Sequence, residues 1–236
     1  SGTLNAAGTA TQRIKFTSNQ STPARGDWRG ILISETSTTL DYLQVEYADY
    51  GIDVQSTLPA TIQNSIFANN NRGVNIQWGN PTIPTMIQGS TFQNNYYGIF
   101  ANNTILTVTN STITNNTNGA FFACTSAQLC IVQMNNNSIL GNTGYNVNAN
   151  HGGGANASGI TINAENNWWG STNIPTISST IFDNADNPAR PIVDFIPFLH
   201  SAVNPISSVS VIQKVFDPHN SETTSLNYQL GTNSNV

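Results

Sequence analysis

Charged residues are scarce in this sequence. Of 236 residues, 7 are Lys or Arg and 12 are Asp or Glu, or 8%, against about a quarter in an ordinary soluble domain. With a net charge of −5, the chain has no basic surface to displace phosphate counterions, so nucleic acid is not an expected partner. No run of about 18 apolar residues occurs, which excludes a helical membrane span. No apolar stripe of 3.6-residue period is long enough for a substantial helix. A disordered tail is excluded as well, because such chains carry many charges and little Ile, Val or Phe. Ser1 opens directly on polar sequence, and no signal-peptide pattern is expected.

The few charges are also unevenly placed. From Val54 to Ala164 there is no Asp, Glu or Lys; Arg72 is the one permanent charge there and His151 the one imidazole. Acids gather from Asp27 to Asp53 and from Asp183 to Asp194. Acid–base catalysis needs titratable groups within hydrogen-bond reach of a substrate. The middle of the chain is therefore a poor place for it.

Asparagine is abundant instead, with 35 residues, and it marks a repeat. LQVEYADYGIDV ends at Val54, and TIQNSIFANNNRGVNI follows from Thr61 to Ile76. MIQGSTFQNNYYGIFA runs from Met86, LTVTNSTITNNTNGAFFA from Leu106, VQMNNNSILGNTGYNV from Val132 and ITINAENNWWG from Ile160. Aligned on Gly51, Gly73, Gly98, Gly119 and Gly144, the units are spaced by 22, 25, 21 and 25 residues. Each unit alternates apolar and polar residues, which means strands. A unit this short cannot bury its apolar face alone, but stacked copies can. The expected fold is all-β: a parallel β-helix, or solenoid, with each repeat one coil. Ile62, Ile66 or Phe67, Val74, Ile76, Ile87, Phe92 and Ile99 are its expected inward residues. Asn and Gly suit the left-handed corners between strands, and stacked Asn side chains can form ladders. A β-sandwich is the competing all-β reading and fits the phase-locked Asn-Asn and Gly steps less well.

Three motifs carry a family resemblance. Residues 2–33 hold a GTL-x-A-x-GT step, an I-x-FTS strand and a G-x-W-x-GI step. Residues 40–52 read as an L-x-Y-x-x-V-x-Y-A-x-x-GI coil, and Glu165–Ser171 with Val193–Leu199 as an NWWG turn and an extended P-x-L exit. Together they resemble the right-handed parallel β-helix repeat proteins of microbial surfaces, over about residues 1–200. Residues 206–236, with Phe216-Asp217-Pro218 and the strand Thr224–Leu230, resemble the opening of a FlgD-like immunoglobulin-type module. The resemblances imply a right-handed parallel β-helix with a C-terminal extended β tail, and the domains are read as 1–200, parallel β-helix, and 201–236, linker plus partial immunoglobulin-like strands or an exchange tail. Both ends look abrupt, and a piece of a longer surface protein is expected.

The candidate sites follow from chemistry. Cys124 and Cys130, six residues apart, suit a disulfide closing an insertion between coils, with an oxidising, extracellular or cell-surface setting. Asp41, Glu46, Asp49 and Asp53 form the densest acid set, with Arg72 or Lys15 as the cation an enzyme would pair with them. Asp183, Asn184, Asp186 and Asn187 form an oxygen-rich loop, a candidate calcium site; no other cofactor is expected. Tyr96, Tyr97, Trp168 and Trp169 are candidates for stacking on glycans. In the pairs Tyr96-Tyr97 and Phe121-Phe122, one ring of each is expected to point outward. Asn19, Asn102, Asn110, Asn115, Asn136 and Asn156 head glycosylation sequons. The Arg25-Gly26-Asp27 tripeptide is read as part of the G-x-W step rather than as an attachment motif. The expected function is a non-catalytic, extracellular structural or adhesive segment that self-associates through its coil ends or its 206–236 tail, or binds glycans through a coil face. The alternative is a carbohydrate-active enzyme of the polysaccharide lyase or glycosidase type.

Overall fold

A computed structural model describes residues 6–34, 38–55, 60–77, 82–125, 129–152 and 156–203, and the strand pairs 209–210 and 227–228. The first coil is β1 (Ala6–Ala7), β2 (Ile14–Phe16) and β3 (Trp28–Ile33). The second is β4 (Thr38–Asp41), β5 (Leu43–Glu46) and β6 (Ala48–Val54), and the third β7 (Ala60–Gln63), β8 (Ile66–Ala68) and β9 (Arg72–Gln77). The fourth is β10 (Thr85–Gln88), β11 (Thr91–Gln93) and β12 (Tyr97–Asn102). The fifth is β13 (Ile105–Thr109), β14 (Thr112–Thr114) and β15 (Asn118–Cys124). The sixth is β16 (Ile131–Asn135), β17 (Ser138–Leu140) and β18 (Tyr145–His151). Then come β19 (Thr161–Asn163), a short helix α1 (Ile174–Ser178), β20 (Ile181–Phe182) and β21 (Ile192–Asp194).

First, second and third strands of successive coils line up into an 8-stranded, a 6-stranded and a 7-stranded sheet. Pairing is parallel throughout residues 6–194. The expected β-helix architecture is therefore present. Its core consists of columns of like residues. Val45, Phe67, Phe92, Ile113 and Ile139 stack under the 6-stranded sheet and are all fully buried. Phe67 and Phe92 lie face to face, 5.0 Å apart. Phe67 takes the inward place, while Ile66 is only half-buried.

Each Asn-Asn step divides its labour. The first residue turns the corner with positive φ: Asn69 (58°), Asn94 (56°) and Asn115 (56°) do so between the 6- and 7-stranded sheets. The second residue is fully buried and links coils. Asn95 Oδ1 accepts from the Asn70 backbone N–H (2.9 Å) and from Asn70 Nδ2 (3.0 Å), while Asn95 Nδ2 donates to the Phe67 carbonyl (3.0 Å). Asn116 repeats this toward Asn95, and Asn142 toward Asn116, each at 2.9 Å. A second ladder climbs the other tight corner. There the Ser65, Ser90 and Ser111 side chains meet the backbone amides of Leu43, Ser65 and Ser90, and Asn137 and Asn167 continue it.

The repeating glycines have a different cause. A Cβ on Gly73 would lie 2.5 Å from the Gly98 carbonyl oxygen, and one on Gly98 2.5 Å from that of Gly119. The alignment on Gly144 needs correction. Tyr145 pairs with Asn118 and Val147 with Ala120, which places Asn146 opposite Gly119. Coil six thus carries Asn146 in place of the glycine, and that side chain is buried against Thr180. The helix α1 was not expected from periodicity. Asn173 caps it by accepting from the Thr176 backbone N–H at 3.0 Å, Pro175 opens it, and Ile177 is its buried residue.

The chain divides into residues 1–203 and 204–236. Within the second unit, β22 (Val209–Ser210) and β23 (Asn227–Tyr228) pair antiparallel. The remainder of the immunoglobulin-like and exchange-tail expectation lies outside the described residues.

Asn95→Ala is expected to cost about 2–4 kcal/mol in urea unfolding, because it strands a buried amide and a buried carbonyl. The neighbouring Asn94→Gly should stay within about 0.5 kcal/mol, since glycine accepts the same corner conformation.

Candidate functional site

The four front acids are parted by the fold. Asp41 lies in β4 of the 8-stranded sheet, Glu46 in β5 of the 6-stranded sheet, and Asp49 and Asp53 in β6 of the 7-stranded sheet. Each has its own partners. Asp41 accepts from Gln63 (3.2 Å) and Asn64 (3.0 Å), and Asp49 from Asn71 (3.0 Å). Glu46 pairs with Lys15 at 3.0 Å and also accepts from Gln44 and Thr17. Burial pushes the Glu46 carboxyl up, but these hydrogen bonds and the Lys15 charge outweigh it and hold the group below the ordinary value. Asp27 is also lowered, by hydrogen bonds from Ser18 and the Ala24 amide. Arg25 is bound to the Asn94 carbonyl (2.6 Å), so the ends of the Arg-Gly-Asp tripeptide serve local structure.

Of these four acids, Asp53 alone is buried. It faces away from the core, yet its side chain is only 2% exposed. Arg29 (3.1 Å) and Gln55 (2.8 Å) reach one oxygen and Asn75 (2.6 Å) the other. Asn75 in turn accepts from Arg72 at 2.6 Å.

Above this network runs a column of rings and guanidinium groups, one per coil. Arg29 lies 4.8 Å from the Tyr50 ring centroid, and Arg72 lies 5.0 Å from Tyr50 and 3.8 Å from Phe100. Phe100 stacks on Phe121 at 4.9 Å with a 9° tilt, and Tyr97 meets both rings edge-on. Burial raises the Tyr97 hydroxyl above its ordinary pKa, with Tyr96 adding to the rise and the Arg72 charge opposing it. A second stack follows, with Tyr145 and Phe182 5.0 Å apart and Arg190 at 3.9 Å from Phe182. Arg190 also ties down Asn148 (3.0 Å) and the Ala149 carbonyl (2.7 Å).

Arg72, Tyr97 and Phe121 stand out singly in the sequence, whereas Arg29, Tyr50 and Phe100 do not stand out as their partners. The signal was there. Tyr50, Arg72 and Tyr97 each precede a repeating glycine, and Asp53, Asn75, Phe100 and Phe121 each lie two residues after one.

A family profile described as the right-handed beta helix region matches residues 4–169. The chain belongs to the right-handed β-helix family. No curated protein and no solved structure gives a significant match. Members of a fold family do not share one activity, so the family identifies the scaffold and leaves the chemistry to the site.

Three candidate sites of this β-helix chain take a different form in the structure. Trp169 is 3% exposed and packs 6.2 Å from Phe195, so it closes the core and offers no face to a sugar; Trp168 is half-buried. Tyr96 is 45% exposed and Tyr97 half-buried, so both rings of that pair reach outward, whereas Phe122 is fully buried behind Phe121. In the oxygen-rich loop the side chains already serve backbone groups. Asp183 accepts from the Ala185 and Val193 amides, Asp186 from the Asp183 amide, and Asn187 from the Ala189 amide. Asn184 donates to the Pro188 and Arg190 carbonyls. This is the bonding of a self-supported turn; among the described residues no group of three or more His, Cys, Asp or Glu is placed to hold a metal.

Cys124 and Cys130 form the expected disulfide, with Cα atoms 5.5 Å apart. Of the sequon residues, Asn19, Asn110, Asn115, Asn136 and Asn156 are exposed and Asn102 is half-buried.

Reducing the disulfide is expected to lower stability by roughly 2–3 kcal/mol in paired thermal melts with and without reductant. Acid is a second test. Glu46 has a lower pKa folded than unfolded, so its contribution is present above the ordinary carboxylate value of about 4.3 and is lost as pH falls through the folded value. The urea midpoint should therefore drop on acidification, and Glu46→Gln should flatten that dependence.

Proposed function

We propose that the chain is a non-catalytic structural and adhesive segment of an extracellular or cell-surface protein, and that it binds glycans through an outer face of the β-helix. The observation that carries this reading is the contrast between faces. The front carboxylates lie on three different sheets, and each is held by its own partners. The outer face of the 7-stranded sheet, by contrast, carries a continuous line of aromatic and guanidinium groups, with Tyr96 exposed beside it. The disulfide supports an oxidising compartment.

Self-association fits the same reading. Among the described residues, strands β1, β2 and β3 each end their sheets, and the core residues Ile14, Phe16, Trp28 and Ile31 are only partly buried. A second coil end or a tail could pair there.

Incubation with a panel of polysaccharides separates the adhesive from the enzymatic reading. The chain should be retarded in affinity gels containing some of them and should release no new reducing ends or unsaturated products. Steady product release would make it an enzyme.

A further inference from the structure

We infer that the outer face of the 7-stranded sheet is covered by a second copy of this chain. The two copies pack about a two-fold axis at β12 with their coil axes antiparallel, so pairing and glycan binding compete for one surface. The competition deepens the glycan-binding reading and rests on it; the pairing stands apart from it.

No strand of this sheet contains Lys or Glu. Tyr50, Tyr97, Phe100, Phe121, Tyr145 and Phe182 stand half-buried on its outer side, and Leu32, in register with Asp53, is 53% exposed. Arginine and aromatic rings without Lys or Glu are the composition of the centre of a protein interface. The rings are already held by stacking on one another and on guanidinium groups. Little side-chain entropy is therefore lost when a partner covers them. The charges of the face also balance. Arg29 is paired with Asp53, Asp49 lies on β6, and Asp186 acts on Arg190 beside Phe182. Two copies can meet there without the repulsion that a net charge of −5 imposes elsewhere.

The order of the strands selects the axis. The sheet runs β20-β18-β15-β12-β9-β6-β3, so β12 is its middle strand. An antiparallel two-fold at β12 sets β9 against the other copy's β15, β6 against β18 and β3 against β20. Phe100 then meets its own counterpart, Arg72 meets Phe121, and Tyr50 meets Tyr145. Arg29, with its side chain 64% exposed, comes opposite the loop after β20, which carries the exposed Asp186. Coil axes set parallel would instead bring Arg29 to Arg29 and Arg72 to Arg72, which repel. An isologous contact of this kind closes at two copies.

Strand addition is not the mode, because β6, β9, β12, β15 and β18 have both edges paired. Face-to-face packing is. These five strands are six or seven residues long. With seven strands at the usual spacing, the face measures about 30 Å by about 20 Å, roughly 600 Å² in plan. Side-chain relief raises the accessible area toward the about 800 Å² per partner of a stable interface.

Sedimentation velocity of the full chain over a dilution series tests the pairing. A dimer that dissociates on dilution is expected. Phe100→Asp should weaken it at least about tenfold. Thr91→Asp, the same new carboxylate on the outer side of the 6-stranded sheet, should leave it unaltered. Thermal melts accompany both variants. If Phe100→Asp unfolds, Asp186→Arg, on an exposed loop, takes its place and should weaken the dimer about threefold. A chain that stays monomeric, or a dimer that Thr91→Asp weakens as much as the face variants, overturns the inference and leaves glycan binding to the affinity gels. Where the dimer forms, retardation in those gels should weaken as protein concentration rises through the dissociation midpoint. Retardation independent of concentration overturns the competition. A dimer with no retardation in any gel keeps the pairing and removes the glycan-binding reading.

Discussion

Parallel strand pairing stacks each coil on the next at about 4.8 Å, and almost every feature of the molecule answers to that spacing. A side chain must tolerate a counterpart directly above and below it. Buried apolar residues do so by matching shapes, as Phe67 and Phe92 do. Buried amides do so because an Asn both donates and accepts, so one residue type can follow itself indefinitely. Glycine meets the limiting case, where the next coil's carbonyl occupies the volume of a Cβ.

Charge is the property that cannot be stacked this way. Two carboxylates or two guanidinium groups at one position in adjacent coils repel. Where charge does occur, it alternates with something else. Asn75 stands beside Asp53, and Tyr50 separates Arg29 from Arg72. Scarcity of charge is thus less a matter of solubility than of translation. The chain keeps its acids mainly for the ends and uses amides where a surface must be polar and repetitive.

The fold was legible because this translation writes itself into the sequence as a period. The Asn-Asn steps, the glycines and the alternating Ile and Val each repeat, and each has one physical role. What escaped was whatever breaks the period. Asn146 replaces a glycine, so an alignment on Gly144 slips by two residues. Tyr42 and Tyr47 adopt the left-handed corner conformation (φ 51° and 60°) without being Asn or Gly, and nothing local in the sequence announces it. The column of rings and guanidinium groups was half visible, since Arg72, Tyr97 and Phe121 stood out singly. Their grouping depended on inter-coil register, which sequence distance does not supply. Asp53 shows the same limit: its parity places it outward, but its burial comes from Arg29, 24 residues away.

The two tight corners of a coil keep a constant separation. Tyr42 and Tyr47, Asn64 and Asn69, Gly89 and Asn94, and Asn110 and Asn115 are each five residues apart, as are Asn136 and Gly141. The ladder spacings nevertheless run 22, 25, 21 and 26 residues. Most of that variation falls on the return from the 7-stranded to the 8-stranded sheet; one residue of the last step falls on the corner before β18, where Tyr145 stands opposite Asn118. Two sides of the prism are therefore nearly fixed in length, and the third is free to lengthen without disturbing either ladder. Over evolutionary time, novelty in such a chain would accumulate along one edge only, leaving the other two as a ruler on which coils can be gained or lost whole.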